Sequence, residues 1–274
     1  MVYDREEQVR LLNADLMGEH QAIVHYLTHA WTVVRQFGPV IEAISRDEMR
    51  HFKWLSHTIV ALGGVPDLTP PDDLPQLTGL EALNYDIDAE EEAISQYLAH
   101  QRVIADERIQ ALIGRIVVDE RDHRRQFIDL RTTWQEAANP EEPPDHGVTE
   151  ELGKRFQILV AKEYQEILRY LLESFLSTHM RHMGLNAEDR AIDEMKHLSL
   201  VAETLAGAGG RPRLTLSGAG REDELPLYQD LRHWAASEMP GLVPLIDRVI
   251  AHEQYQTQST RDPGWTVGSM SKEA

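Results

Sequence analysis

The chain has no cysteine among its 274 residues. That excludes disulfides, thiolate-held metal and any electron-transfer centre built on sulfur ligands. Positive charge is scarce: 27 Lys and Arg stand against 46 Asp and Glu, giving a formal charge of −19 and a pI near 5.0. A surface of that sign repels phosphate backbones and anionic lipid, which argues against nucleic acid and membrane as partners. No apolar run approaches the roughly 20 residues that cross a bilayer. The polar start Met1-Val2-Tyr3-Asp4-Arg5 shows no secretory leader, so a cytoplasmic location is the default expectation. What remains is a chain of 42% hydrophobic residues, enough for ordinary cores, and long enough to expect two domains.

Apolar residues recur at helical spacing and turn residues punctuate them. The pattern predicts helices over about 5–36, from Gly38-Pro39 to Leu62, over 79–105 and over 107–137. Gly63-Gly64 ends the second, and the proline-rich 66–78 is long enough to cross to the far end of a bundle. On those helices, two Glu-x-x-His pairs share a context. Asp47-Glu48-Met49-Arg50-His51 is echoed by Asp119-Glu120-Arg121-Asp122-His123. Residues at i and i+3 leave one helix face together, and both faces are otherwise apolar. Carboxylate and imidazole on a core face are costly unless something there pairs with them.

Two further glutamates head matching stripes, Glu19-Ala22-Ile23-Tyr26 and Glu90-Ala93-Ile94-Tyr97. One Glu from each of two helices plus a Glu-x-x-His from each of two others is the donor set of a carboxylate-bridged dinuclear site. The candidate ligands and catalytic groups are therefore Glu19, Glu48, His51, Glu90, Glu120 and His123. Four carboxylates carry −4, which two divalent ions cancel. About the turn at Asp106, Glu90 and Glu120 sit roughly 24 and 21 Å along their helices and so meet at one level. Glu19 lies further from Gly38 than Glu48 does, so the first helix ends early or overhangs its partner. His20, His25, His29, His57 and His100 share no such pattern and read as surface or supporting residues.

The stretch 139–147, Asn-Pro-Glu-Glu-Pro-Pro-Asp-His-Gly, is a linker by composition, dividing the chain into domains 1–138 and 148–274. Beyond it the pattern restarts. Glu163-Glu166-Ile167-Tyr170 repeats the first stripe, Asp193-Glu194-Met195-Lys196-His197 the first Glu-x-x-His, and Gly209-Gly210 the turn after it. Glu253 stands for Glu120. The expected fold is all-α, two tandem four-helix bundles. The second copy is incomplete: Gln256 replaces His123, and the Glu90 counterpart falls at Asp223, before Pro226. A short helix over about 227–238 offers Leu231, Trp234 and Ala235 to the core and no carboxylate. A second site would draw on Glu163, Glu166, Glu194, His197, Glu253 and Gln256, and a degraded, metal-free bundle is the leading expectation.

These motifs resemble the ferritin-like superfamily, bacterioferritin most closely. The resemblance covers both halves and rests on Glu19 to Tyr26, on Ile192-Asp193-Glu194-Met195-Lys196-His197 and on the Gly-Gly-x-Pro-x-Leu exit. It implies a di-iron centre with Glu48 and Glu120 bridging, Glu19 and Glu90 terminal, and one histidine on each metal. Met49 and Met195 match the haem-ligating methionine of bacterioferritin, but interface packing is the favoured reading and haem is not expected. Tandem fusion with a degraded second site is not the pattern of a cage-forming subunit.

Carboxylates with two imidazoles and no thiolate suit iron or manganese, with zinc a redox-inert occupant. The leading expectation is a di-iron oxidoreductase of the oxidase or ferroxidase type. It would reduce O2 or peroxide while oxidising Fe2+ or a small substrate. A protein that sequesters metal without turnover is the alternative, with the second bundle as a structural or interaction module; a homodimer is left open.

Overall fold

A computed structural model describes residues 4–33, 36–71, 74–137, 148–177, 181–216 and 224–259, without the side chains of 181–186 and 256–259. The chain is all-α, two four-helix bundles in sequence, and no strand occurs among the described residues. It divides into units Met1–His146 and Gly147–Ala274. The linker stretch 139–147 lies outside the described residues. None of the described helices is long and apolar enough to cross a membrane.

The first unit holds α1 (Arg5–Thr32), α2 (Gly38–Ala61), α3 (Gly79–Val103) and α4 (Glu107–Glu136), packed mainly as the hairpins α1·α2 and α3·α4. Asp4 caps α1 through the Glu7 amide, and Asp106 caps α4 through the amides of Arg108 and Ile109. On α4 the buried set is Ile109, Ile113, Ile116, Val117, Glu120, His123 and Phe127, a stripe at helical period that carries two polar members into the core. Tyr26, Phe37, Ile41, Ile44, Leu83, Ile87 and Phe127 form one apolar cluster at the end of the bundle beside the α1–α2 turn. Each fully buried side chain of this size contributes about 1.5–3 kcal/mol.

The first helix ends at Thr32, short of the expected Gln36. Thr28 and Thr32 bond back to the carbonyls of Val24 and Thr28, and such back-bonding weakens a helix end. The chain then folds back so tightly that a Cβ on Gly38 would meet the Ala30 carbonyl oxygen at 2.8 Å. This early end lets Glu19 and Glu48 reach the same level. After α2, Gly63 takes φ +79°, and the amides of Gly63 and Gly64 bond to the carbonyls of Val60 and Ile59, a Schellman stop. Asn13 then pins the crossover, donating to the Val65 carbonyl and accepting from the Asp67 amide.

The second unit holds α5 (Glu150–Leu176), α6 (Arg181–Gly207), α7 (Glu224–Glu238), a 3-10 turn Pro240–Leu242 and α8 (Val243–Ser259). The same stop recurs at Gly209 and Gly210, bonded to Ala206 and Leu205, and Gln157 clasps Arg213 as Asn13 clasps Asp67. The short helix differs from expectation. It begins at Glu224, not Leu227, with Pro226 in its first turn, where a missing N–H goes unused. Its buried residues are Tyr228, Leu231 and Ala235; Trp234 is only half-buried, with the Arg155 guanidinium 5.4 Å over its ring.

Candidate metal centre

All six residues singled out in the first unit are buried, each at most 4% exposed, and they converge from four helices. Glu19 comes from α1, Glu48 and His51 from α2, Glu90 from α3, Glu120 and His123 from α4. They form two overlapping groups whose donor atoms lie within 4.8 Å of one another: Glu19, Glu48, His51, Glu120 and Glu48, Glu90, Glu120, His123. Glu48 and Glu120 belong to both. His51 Nδ1 is 2.9 Å from Glu48 and 3.0 Å from Glu120, while His123 Nδ1 is 2.8 Å from the other Glu48 oxygen. The two rings stack 5.8 Å apart.

The histidines are held from behind by each other's helices. His51 Nε2 meets Asp119 of α4 at 3.2 Å, and His123 Nε2 meets Asp47 of α2 at 3.4 Å. Both aspartates immediately precede a Glu of the Glu-x-x-His pairs, and sequence reasoning gave them no role. They point Nδ1 of each ring inward, as an outer carboxylate does for a metal-ligating histidine. Two tyrosines position the remaining carboxylates: Tyr26 donates to Glu90 at 2.7 Å and Tyr97 donates to Glu19.

The electrostatics are those of four carboxylates crowded in a core. Burial, then the charges of Glu120 and Glu48, pushes the Glu19 carboxyl well up; burial with Glu48 and Glu120 does the same to Glu90. Burial alone would lower the His123 pKa, but hydrogen bonds to Glu120 and Glu48 raise it to about 10, and His51 rises likewise. Without cations, protons carry the neutralising charge. Even so, Glu90 Oε2 remains buried with no hydrogen bond to a described residue. Uncompensated buried charge costs several kcal/mol per group, and two divalent cations among these carboxylates remove that cost. The donor set fits iron or manganese.

A cavity of about 150 Å³ between α1 and α3 reaches Glu19, Glu48, Glu90 and Glu120 from outside. Small residues, Gly18, Ala22, Ala89 and Ala93, line it and keep it open. Buried polar pairs flank it. Asp86 sits between His25 Nε2 at 3.1 Å and His29 Nδ1 at 2.7 Å, and Asp15 meets His100 Nδ1 at 2.7 Å. His25 and His29 are thus core residues, not surface ones. His20 is buried edge-on to Phe52, its pKa lowered by burial to about 4, and His57 is half-buried. Met49 and Met195 are half-buried.

The second unit gathers Glu163, Glu194, His197 and Glu253, all buried. Glu163, Glu194 and His197 form one group; Glu194, Glu253 and Glu224 form another. Glu224 is the residue that sequence reasoning missed, since it assigned this helix no core-facing carboxylate. Lying four residues before Tyr228, which donates to Glu163, it faces inward. Burial and the charges of Glu163 and Glu194 push its carboxyl up to about 10. Glu166, expected as a possible ligand from its i+3 spacing to Glu163, is instead claimed by Lys162 at 2.8 Å and Arg169 at 2.5 Å. Asp223 and the Gln256 side chain lie outside the described residues.

Residues 9–136 match the family described as the ferritin-like domain. A crystal structure titled as ferritin-like, diiron-carboxylate proteins from Bacillus anthracis str. Ames is similar at 29% identity, covering 48% of this chain and 99% of that one, with a TM-score of 0.44. Comparison with curated proteins finds no match.

Proposed function

We propose that this chain, whose residues 9–136 match the ferritin-like domain, is an oxidoreductase with a dinuclear iron or manganese centre in its first unit. The observation that carries the reading is the double membership of Glu48 and Glu120 in two four-residue donor groups. Shared carboxylates hold two cations as one unit, which a site for a single ion does not need. Glu19 with His51, and Glu90 with His123, would complete the two positions. When bound, the ion pair supplies the redox capacity to reduce O2 or peroxide while Fe2+ or a small substrate is oxidised.

The chain's own residues orient, admit and exclude. Asp47 and Asp119 keep both imidazoles turned inward, and Tyr26 and Tyr97 fix the terminal carboxylates. The cavity lined by Gly18, Ala22, Ala89 and Ala93 admits a diatomic molecule, a peroxide or a small cation to the Glu19 and Glu90 side. A bulky organic substrate does not fit it. The test is oxygen uptake by the intact chain supplied with Fe2+. Catalytic O2 loss that disappears in Glu48→Ala is the expected result; metal uptake with no O2 loss makes the protein a sequestering one.

A further inference from the structure

We propose that the second unit is also a metal site, taking two divalent cations in a set of its own and using Glu224 as a ligand. Glu163, Glu194 and His197 offer one position; Glu194, Glu224 and Glu253 offer the other. Glu163 and Glu194 are fully buried, and among the described residues Glu163 Oε2 and Glu194 Oε1 have no hydrogen-bond partner. Glu224 is half-buried, but its Oε1 atom is buried and likewise has no partner among the described residues. Native interiors pair such atoms, so these are aimed at something positive. Four carboxylates again balance two divalent ions. His197 is oriented as His51 is, with its Nδ1 at 3.0 Å from Glu194 and 2.9 Å from Glu253. Behind it His252 stands in for Asp119, its Nδ1 2.8 Å from His197 Nε2.

The two positions differ in chemistry. One has an imidazole and suits iron, manganese or zinc; the other is all carboxylate and suits a harder cation such as Mn2+. Access differs as well. Where the first unit has Gly18, Ala22 and His25 at its cavity, the same interval that separates Glu19 from Glu163 places Lys162, Glu166 and Arg169. Those three are joined in an ion-paired row with Lys162 and Glu166 buried. Larger, paired side chains on this face of α5 make the second site one that retains its ions.

The test is an anaerobic Mn2+ titration of the intact chain, counting bound ion by loss of the aquo-ion EPR signal. Saturation close to four ions per chain is expected, falling to about three in Glu224→Gln. His197→Gln, which weakens the other position, should also lower the count, and circular dichroism checks that both variants fold. Glu48→Gln tests the first unit separately, so failure of one site is distinguishable from failure of the other. Wild type and Glu224→Gln both saturating at the same number, with His197→Gln also unchanged, overturns the proposal.

Discussion

Asp119 on α4 lies 3.2 Å from Nε2 of His51 on α2, and its counterpart Asp47 on α2 does the same for His123 on α4 at 3.4 Å. Each Glu-x-x-His helix thus supplies the outer support for the other's histidine. Loss of one aspartate should free one imidazole without removing any donor to the metal. Asp119→Asn is expected to weaken metal binding by about 10–100-fold while leaving the number of sites unchanged. A competition titration with a chromogenic chelator measures this. Affinity equal to wild type would mean the Asp119–His51 contact is incidental.

The cavity predicts a separation of binding from turnover. Ala22→Leu fills space between α1 and α3 beside Glu19 without touching a donor pair. Oxidation of Fe2+ should slow by at least roughly tenfold, about 1.4 kcal/mol on the barrier, with anaerobic metal stoichiometry unchanged. Stopped-flow absorbance checks the rate. An unchanged rate would put the route to the centre elsewhere.

Metal uptake should release protons. His123, held at about 10, and His51, also raised, are protonated at neutral pH before a cation arrives, and Glu19 and Glu90 are raised as well. A ligand must lose its proton to bind. Affinity therefore rises with pH, by about tenfold per pH unit for each proton displaced, and keeps rising above pH 7 because His123 is still protonated there. Mn2+ titrations at pH 6.5, 7.25 and 8 measure it. A flat profile would contradict the buried, hydrogen-bonded state of both histidines.

The fold makes its own prediction at Gly38. A Cβ there would meet the Ala30 carbonyl at 2.8 Å, and backbone cannot yield as a flexible side chain can. Gly38→Ala should cost about 1–3 kcal/mol by denaturant unfolding of the first unit. No loss would mean the α1–α2 turn has room that the structure does not show.

Much of this site was legible because its six donors obey helix period on four strongly patterned segments. Glu48 and His51 or Glu120 and His123 share a face at i and i+3, and Glu19 and Glu90 head identical stripes. What was not legible depends on contacts between helices. Asp119 meets His51 across 68 positions, Asp86 meets His29 across 57 and Tyr97 meets Glu19 across 78, and no local spacing encodes these. Glu166 misled for the converse reason: its spacing to Glu163 is right, but Lys162 and Arg169, one turn either side, capture it. Glu224 was missed because Pro226 reads as a helix breaker, though in a first turn it is tolerated.

The central claim is that the first unit holds two metal ions through carboxylates shared between them. The most direct measurement is elemental analysis of the intact chain beside its Glu120→Ala variant, both reconstituted with Fe2+ under anaerobic conditions and desalted. Because Glu120 belongs to both donor groups, the account predicts that the variant carries close to two fewer ions per chain than wild type. Equal metal content in the two proteins would contradict it.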